Sequence, residues 1–273
     1  MAIALSPFQK QAVVSDNKIN LALKEALKNP LKNADIIADL TQFRYDCDIL
    51  IKVSENDSIT AVCYYKDLPY NNINILPGNI DDIKLLVAQL TQKYPNLLNQ
   101  PVFGLYDSAV AGIIENFYQI TQKTPEIKMT LSNTDIPEML FDASKYKLEQ
   151  LTTQDVVQIS YLFSLIPSMA WTPKALSFGP YYGAFYNNNL VCIAGVHFAV
   201  NGVTEVGNIV THFKHRRQNL AYCCTKAVIE KVKETCSNIF LCVFASETSA
   251  IRLYEKMGFE KIEDLILVQY YLK

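Results

Sequence analysis

Stretches of strand-like and helix-like spacing alternate along the chain, and the order in which they do so occurs twice. Asp16 to Phe43 is helical in pattern: one run from Asn17 to Asn29 stops before Pro30, and a second covers Lys32 to about Leu40. β-Branched and apolar residues then crowd Cys47–Val53 and Ile59–Lys66 around the polar corner Ser54–Asp57, and a third such run, Asn71–Leu76, ends at Pro77-Gly78. Apolar residues at 83, 85, 86, 87 and 90 give Ile80–Lys93 a helical stripe. Val102–Leu105 reads as a short strand, Ser108–Tyr118 as a helix and Glu126–Leu131 as a strand. The order predicted is β-β-β-α-β-α-β.

Ser132–Tyr146, with Asn133, Asp135, Pro137 and mixed charge, reads as a connector. Thr152 followed three residues later by Asp155 resembles a capping box, opening a helix that runs to about Leu165. Trp171-Thr172-Pro173 falls in a loop. Strands are expected at Tyr181–Tyr186, Leu190–Val200 and Val203–Thr211, the last two joined by the hairpin pair Asn201-Gly202. A helix at Arg217–Val232 carries apolar residues at 220, 221, 224, 227, 228 and 232 on one face. Ile239–Phe244 is a strand, Ser246–Met257 a helix ending at Gly258, and Ile262–Tyr271 a last strand. The pattern predicts two copies of one α/β layout, divided as residues 1–140 and 146–273. The copies share an element order and negligible identity.

Composition narrows the class. The chain is 50% hydrophobic and 19% charged, a globular balance that excludes disorder, collagen and coiled coil. With 25 basic against 27 acidic residues the net charge of −2 argues against a nucleic-acid partner. Ala175 to Thr204 contains no Asp, Glu, Lys or Arg, but Gly179-Pro180, Asn187–Asn189 and Asn201-Gly202 break it into buried strands, so no membrane span is expected. Met1 to Lys10 shows no basic region followed by an apolar run, so a cytoplasmic location is expected. The seven cysteines have no CxxC spacing and read as buried free thiols. There are only nine glycines, so Asn-rich corners must supply many of the turns.

Candidate chemistry concentrates in Asn208 to Ala221, NIVTHFKHRRQNLA, where a strand leads through a basic loop into an amphipathic helix. Unpaired N–H groups at the positive end of a helix dipole form a ready anion site. Lys214, Arg216 and Arg217 add formal charge there; the alternative is a solvated basic turn. About thirty residues on comes SAIRLYEKMGF, Ser249 to Phe259.

Together these two stretches resemble the GNAT acyltransferase superfamily, whose pattern is [QR]-x-x-G-x-[GA] followed by N-x-x-A-x-x-L-Y-x-x-x-G-F. The first reads here Arg216-Arg217-Gln218-Asn219-Leu220-Ala221; the second runs from Glu247 and Ala250 through Leu253-Tyr254 to Gly258-Phe259. The resemblance covers about Lys147 to Lys273. It implies a mixed-sheet α/β fold of the GNAT N-acyltransferase type, with the N-terminal half a degenerate GNAT-like copy.

It also implies acetyl-CoA, or another acyl-CoA, as co-substrate, held in a V-shaped gap between Val206–Thr211 and Ile239–Phe244. Backbone groups of Ile209, Val210 and Thr211 would pair with the pantetheine arm. The amides of Arg216, Arg217, Gln218, Asn219, Leu220 and Ala221 would hold the pyrophosphate, with Lys214 or Arg217 near the phosphate charge. Tyr254 matches the residue that protonates the departing thiolate, against the simpler role of a core tyrosine. Two positions depart from the pattern. Asn219 stands at a glycine's place and is the best substitute at positive φ. Glu247 stands where the family has Asn, close to a polyanion.

The amine acceptor needs a base. Glu205, the first carboxylate after the uncharged stretch, is the leading candidate, because apolar surroundings raise a carboxyl pKa toward neutrality; an outward-facing position is the alternative. His212 is a second candidate, against the alternative of a surface histidine. His197, His212 and His215 form no metal site. In the first half the corresponding junction, Leu76 to Asp82, is acidic and its last helix lacks LY-x3-GF, so a supporting role is expected: covering the sheet, walling the acceptor pocket or forming a homodimer. The expected activity is acyl transfer, acetyl foremost, to a primary amine of a small molecule or amino acid by direct attack in a ternary complex. The acceptor pocket would be lined by the Trp171–Tyr182 loop, the first strand and the first half. The two-half layout resembles the glycine N-acyltransferase-like branch. The alternative is a non-catalytic acyl-CoA-binding or protein-interaction module.

Overall fold

The computed structural model describes residues 15–133, 135–200 and 202–272. The expectation drawn from Met1 to Lys10 lies outside these residues, as does Asn201 of the hairpin pair. The first half folds as α1 (Asp16–Ala26), α2 (Ala34–Leu40), β1 (Cys47–Val53), β2 (Ile59–Tyr65), β3 (Asn71–Leu76), α3 (Ile80–Lys93), β4 (Val102–Tyr106), α4 (Ser108–Phe117) and β5 (Gln119–Leu131). The second half follows as β6 (Lys147–Gln150), α5 (Val156–Leu165), β7 (Tyr182–Tyr186), β8 (Asn189–Val200), β9 (Val203–Thr211), α6 (Leu220–Val232), β10 (Asn238–Phe244), α7 (Thr248–Met257) and β11 (Phe259–Tyr271). The Thr152–Asp155 capping box forms as predicted and leads through a short 3-10 turn into α5.

All eleven strands join one mixed sheet in the order β1-β2-β3-β4-β11-β5-β10-β9-β8-β7-β6. The two halves are therefore not separate slabs. Each sends its last strand into the other's sheet: β11 pairs with β4, β5 pairs with β10, and β5 and β11 pair antiparallel at the centre from Phe259↔Leu131 to Tyr271↔Gln119. Exchanged central strands of thirteen residues each tie the halves together by backbone hydrogen bonds. The hydrophobic core crosses the same seam. Ile37 and Leu40 of α2 share a cluster with Phe198, Val203 and Phe240 of the second half, and Val268 and Tyr270 of β11 pack among Ile73, Val102 and Tyr106.

Several boundaries depart from the sequence pattern. β5 begins at Gln119, well before Glu126, because its polar first part is held by pairing with β11 and not by burial. β6 was hidden because Lys147-Leu148-Glu149-Gln150 has one apolar residue; it is a short edge strand on β7. α6 starts at Leu220 and not at Arg217, because Arg217 (φ 62°) and Asn219 (φ 58°) take left-handed conformations that no helix continues through. Among the described residues no helix is long and apolar enough to cross a membrane, and the cysteines are unpaired.

Candidate active site

The site starts from a break in the sheet. β9 and β10 run parallel, but their pairing covers only Val203↔Asn238, Thr204↔Ile239 and Glu205↔Phe240. Beyond Glu205 the strands separate, leaving the β10-facing edge of residues 206–211, Ile209, Val210 and Thr211 included, without a strand partner among the described residues. On its other edge β9 stays on β8 through Val210↔Ile193 and Thr211↔Cys192. A bulge between Gly207 and Val210, with Asn208 at φ 52°, bends β9 at the mouth of the gap. Buried Asn208 is fixed by bonds from its Nδ2 to Tyr181 Oη (2.9 Å) and from Ser168 Oγ to its Oδ1 (2.6 Å).

At the open end lies the basic loop. The Asn219 side chain does not cap α6; its Nδ2 donates to Leu140 O at 2.8 Å, so the first-turn N–H groups of this thirteen-residue helix face outward without a side-chain cap. The connector crosses here, since Tyr222 Oη donates to Pro137 O (2.9 Å) and Lys226 pairs with Glu138. Arg216, Arg217, Gln218 and Asn219 are exposed, Leu220 is buried and Ala221 is half-buried. Among the described residues Lys214, Arg216 and Arg217 form no ion pair with an acidic side chain. Free N–H groups, left-handed backbone and unpaired cations fit a pyrophosphate.

A cavity of about 930 Å³ runs from this loop into the gap. Tyr254 lines it while only 7% exposed. Burial, then Cys192 and Glu247, push its phenol well above the ordinary range, which keeps the proton on the oxygen. Glu247, at the start of α7, lines the same cavity. Glu205, also 7% exposed, sits at the vertex of the gap. His197 is the extra residue of a bulge in β8, between Val196↔Val206 and Phe198↔Glu205, and its Nδ1 stands 3.4 Å from Glu205 Oε1. Burial alone would lower its pKa; Glu205, Asn208 and Asp35 outweigh that and raise it.

The surroundings of Glu205 are not the apolar ones expected. Asp35 and Asp39 of α2 and Glu126 of β5 line the same cavity. Burial followed by Glu205 and Asp35 pushes Glu126 up to about 7, and burial pushes Asp39 up to about 7 against a hydrogen bond from Asn74. Asp35 is raised by burial and by Glu205. These three carboxylates and His197 escaped the sequence pattern. The signal present was Asp35 and Asp39 at i and i+4 in ADIIADL, a helix whose apolar residues are all buried.

His212 does not reach the cavity: its Nδ1 accepts from Lys214 N and its ring stacks on Phe213. No group of three metal-ligating side chains occurs among the described residues. The wall opposite α6 is the segment from Ile166 to Phe178; Trp171 itself stacks on Phe163 behind it, and strand β7 does not line the cavity.

The first half repeats the break without the opening. β3 and β4 pair only at Asn71↔Val102 and Asn72↔Phe103. Tyr106 fills the space beyond, donating to Ile73 O (2.6 Å) and sharing a hydrogen bond with Tyr270 Oη (3.0 Å). At the N-terminus of α3 the Asn79 side chain accepts from Asp81 N, and Asp82 pairs with Lys52 at 2.6 Å, so carboxylates occupy the position of an anion.

Residues 181–268 match the family model of FR47-like proteins. The whole chain is similar in structure to a GCN5-related N-acetyltransferase from Kribbella flavida, with TM-score 0.66 and 13% identity over 91% of this chain and 95% of that one. It is similar as well to a tandem GNAT protein from the clavulanic acid biosynthesis pathway (TM-score 0.65, 14% identity, 94% and 95% covered). A third such structure is a GCN5-related N-acetyltransferase from Sphaerobacter thermophilus (TM-score 0.61, 12% identity, 92% and 90% covered). Residues 181–268 carry the FR47-like pattern, and the chain has the fold of the GNAT acetyltransferases. No curated protein sequence matches the chain significantly. The likeness to solved structures extends over both halves, so the GNAT fold is that of the entire two-half sheet and not of residues 181–268 alone.

Proposed function

We propose that the C-terminal GNAT half transfers an acyl group, acetyl foremost, from acyl-CoA to the primary amine of a small molecule. The observation that carries this reading is the separation of β9 from β10 after Glu205, with the uncapped helix α6 at one end and a carboxylate at the other. The free edge of Ile209, Val210 and Thr211 would bind the pantetheine arm, and the Arg216–Ala221 amides the pyrophosphate. Glu205, directly or through a water, takes the proton that the ammonium must lose before its nitrogen can attack. The new C–N bond forms at the acyl carbon as the C–S bond breaks, Tyr254 gives its proton to the departing sulfur, and the second proton of the nitrogen leaves to restore the phenol. The high pKa of the buried phenol suits an acid that must stay protonated until that moment. The N-terminal half supplies a wall of the acceptor pocket and not a second acyl-CoA site, since Tyr106 closes its gap.

The test is calorimetric titration with acetyl-CoA, followed by CoA release across an amine panel. Binding is expected, with an affinity lost at least tenfold in Arg217→Glu, and turnover is expected to fall by about 10²-fold or more in Tyr254→Phe. Absence of binding at high micromolar acetyl-CoA, or binding indifferent to Arg217→Glu, would overturn the reading. Binding without turnover on any acceptor would favour a non-catalytic module that kept the fold.

A further inference from the structure

The cavity has two electrical ends. At the mouth its lining carries Arg216, Arg217, Arg252 and Lys256; at the inner end it carries Asp35, Asp39, Glu126 and Glu205, with His197 against Glu205. Lys128, 1% exposed, donates from Nζ to Leu31 O at 3.0 Å, stands 3.9 Å from Glu263 and lies over the Phe240 ring; its charge lowers the Asp35 pKa but forms no ion pair with it among the described residues. The cationic mouth suits phosphates. The acidic end is larger than a general base requires.

How the four carboxylates are partnered decides what that end is for. Asp39 is structural, accepting from Asn74 Nδ2 (2.8 Å) and Cys47 Sγ (3.4 Å). Asp35 and Glu126 have neither a side-chain hydrogen bond nor an ion pair among the described residues. Glu205, more than nine-tenths buried, faces the cavity with one described partner, His197, whose Nδ1 stands 3.4 Å from its Oε1. A fold that leaves the half-buried Asp35 and Glu126 unpaired beside Glu205 is destabilised by their desolvation and mutual repulsion, unless a cation enters. Glu205 has His197 on one side and is open to one ammonium on the cavity side. Asp35 and Glu126 call for another.

We infer that the acceptor is a diamine or polyamine, whose reacting nitrogen meets Glu205 while a second, non-reacting ammonium is held by Asp35 and Glu126. This inference rests on the acyl-transfer reading for its chemistry but not for its binding step. The C–N bond forms at one nitrogen, whose proton leaves to Glu205; the other ammonium keeps its charge throughout. Asp39 adds field without direct contact. The volume of about 930 Å³ accommodates such a chain beside the thioester end.

The probe is 1,4-diaminobutane against n-butylamine, titrated calorimetrically into the full chain with and without acetyl-CoA. The diamine is expected to bind at least about tenfold more tightly than the monoamine. That margin should be lost in Asp35→Asn and in Glu126→Gln, since removing one member of a buried charge pair costs at least that factor. Both substitutions keep volume and remove repulsion, so the variants are expected to fold. Acetyl-CoA affinity, measured separately, should stay unchanged in both. Equal affinity for the two amines, or a diamine preference that survives both substitutions, would overturn the inference even if acetyl-CoA binds. Failure of acetyl-CoA to bind, with the diamine preference intact, would overturn the acyl-transfer reading, and the diamine's role as acceptor with it, and leave only the diamine-binding site standing.

Discussion

Glu126→Gln should stabilise the unliganded protein near neutral pH. Glu126 is half-buried on β5, and burial, Glu205 and Asp35 raise its carboxyl from 4.5 to about 7. At about 1.4 kcal/mol per pKa unit that displacement is worth about 3 kcal/mol, and contact with cavity water reduces it to roughly 2 kcal/mol. Above pH 7 the group is ionised in both states and the folded state carries the whole penalty. Below about pH 4.5 it is protonated in both, and the penalty vanishes. Between those limits the folded state holds the extra proton, so stability rises as pH falls. Asp39, Asp35 and His197 are raised as well and act in the same direction. His215, lowered by burial and then by its cationic neighbours, opposes them weakly around pH 6. Asp48 and Asp107 are lowered and act only below about pH 4, outside the window. Thermal melting from pH 5 to 8 is the assay. Wild type should melt higher at pH 5.5 than at 7.5, and Glu126→Gln should melt about 4–8 °C above wild type at pH 7.5, with a shallower pH dependence. A variant that melts at or below wild type at pH 7.5, or that keeps the full wild-type slope, would refute the repulsion argument.

Two backbone predictions follow. Asn219→Ala forces a β-carbon residue into φ 58° without the side chain that bonds Leu140 O; it should cost about 2 kcal/mol and weaken acetyl-CoA binding more than Asn219→Gly does, as calorimetry would show. Gly195→Ala places a methyl 2.0 Å from the Tyr181 ring, which must swing away from Val196 O and Asn208. Its urea midpoint should reflect a loss of about 1–3 kcal/mol, and a wild-type midpoint would show that the Tyr181–Asn208 contact does not hold the β9 bulge.

What could be read from the chain was local. The basic loop, the stop at Gly258 and the left-handed Asn219 depend on residues within a few positions of one another, so the sequence pattern reaches them directly. The approach to the site from β9 was legible for the same reason. The acid cluster was not, because α2, β5 and β9 lie far apart in the chain and meet only after α2 packs on β8. Even so, Glu126 and Lys128 on one face of a strand, and Asp35 and Asp39 on one face of an apolar helix, were charges with no solvent face to occupy. The exchange of β5 and β11 had no local signal, since either strand would pair as well within its own half.

That exchange explains why a half with a closed gap persists. In the first half Tyr106 takes up the space between β3 and β4 and shares a hydrogen bond with Tyr270 of β11, a strand of the second half. In the second half the gap stays open, and its inner wall is built from α2 and β5 of the first. Removing the first half would strip β10 and β11 of their partner strand and expose the core shared by Ile37, Phe198 and Phe240. It would also delete Asp35, Asp39 and Glu126, leaving Glu205 as the one carboxylate of the inner end opposite the basic loop among the described residues. The second half thus holds the basic loop and Glu205, while the first holds Asp35, Asp39 and Glu126. The swapped strands fix the distance between them by backbone hydrogen bonds, which a loop-tethered pair of domains would leave free to vary.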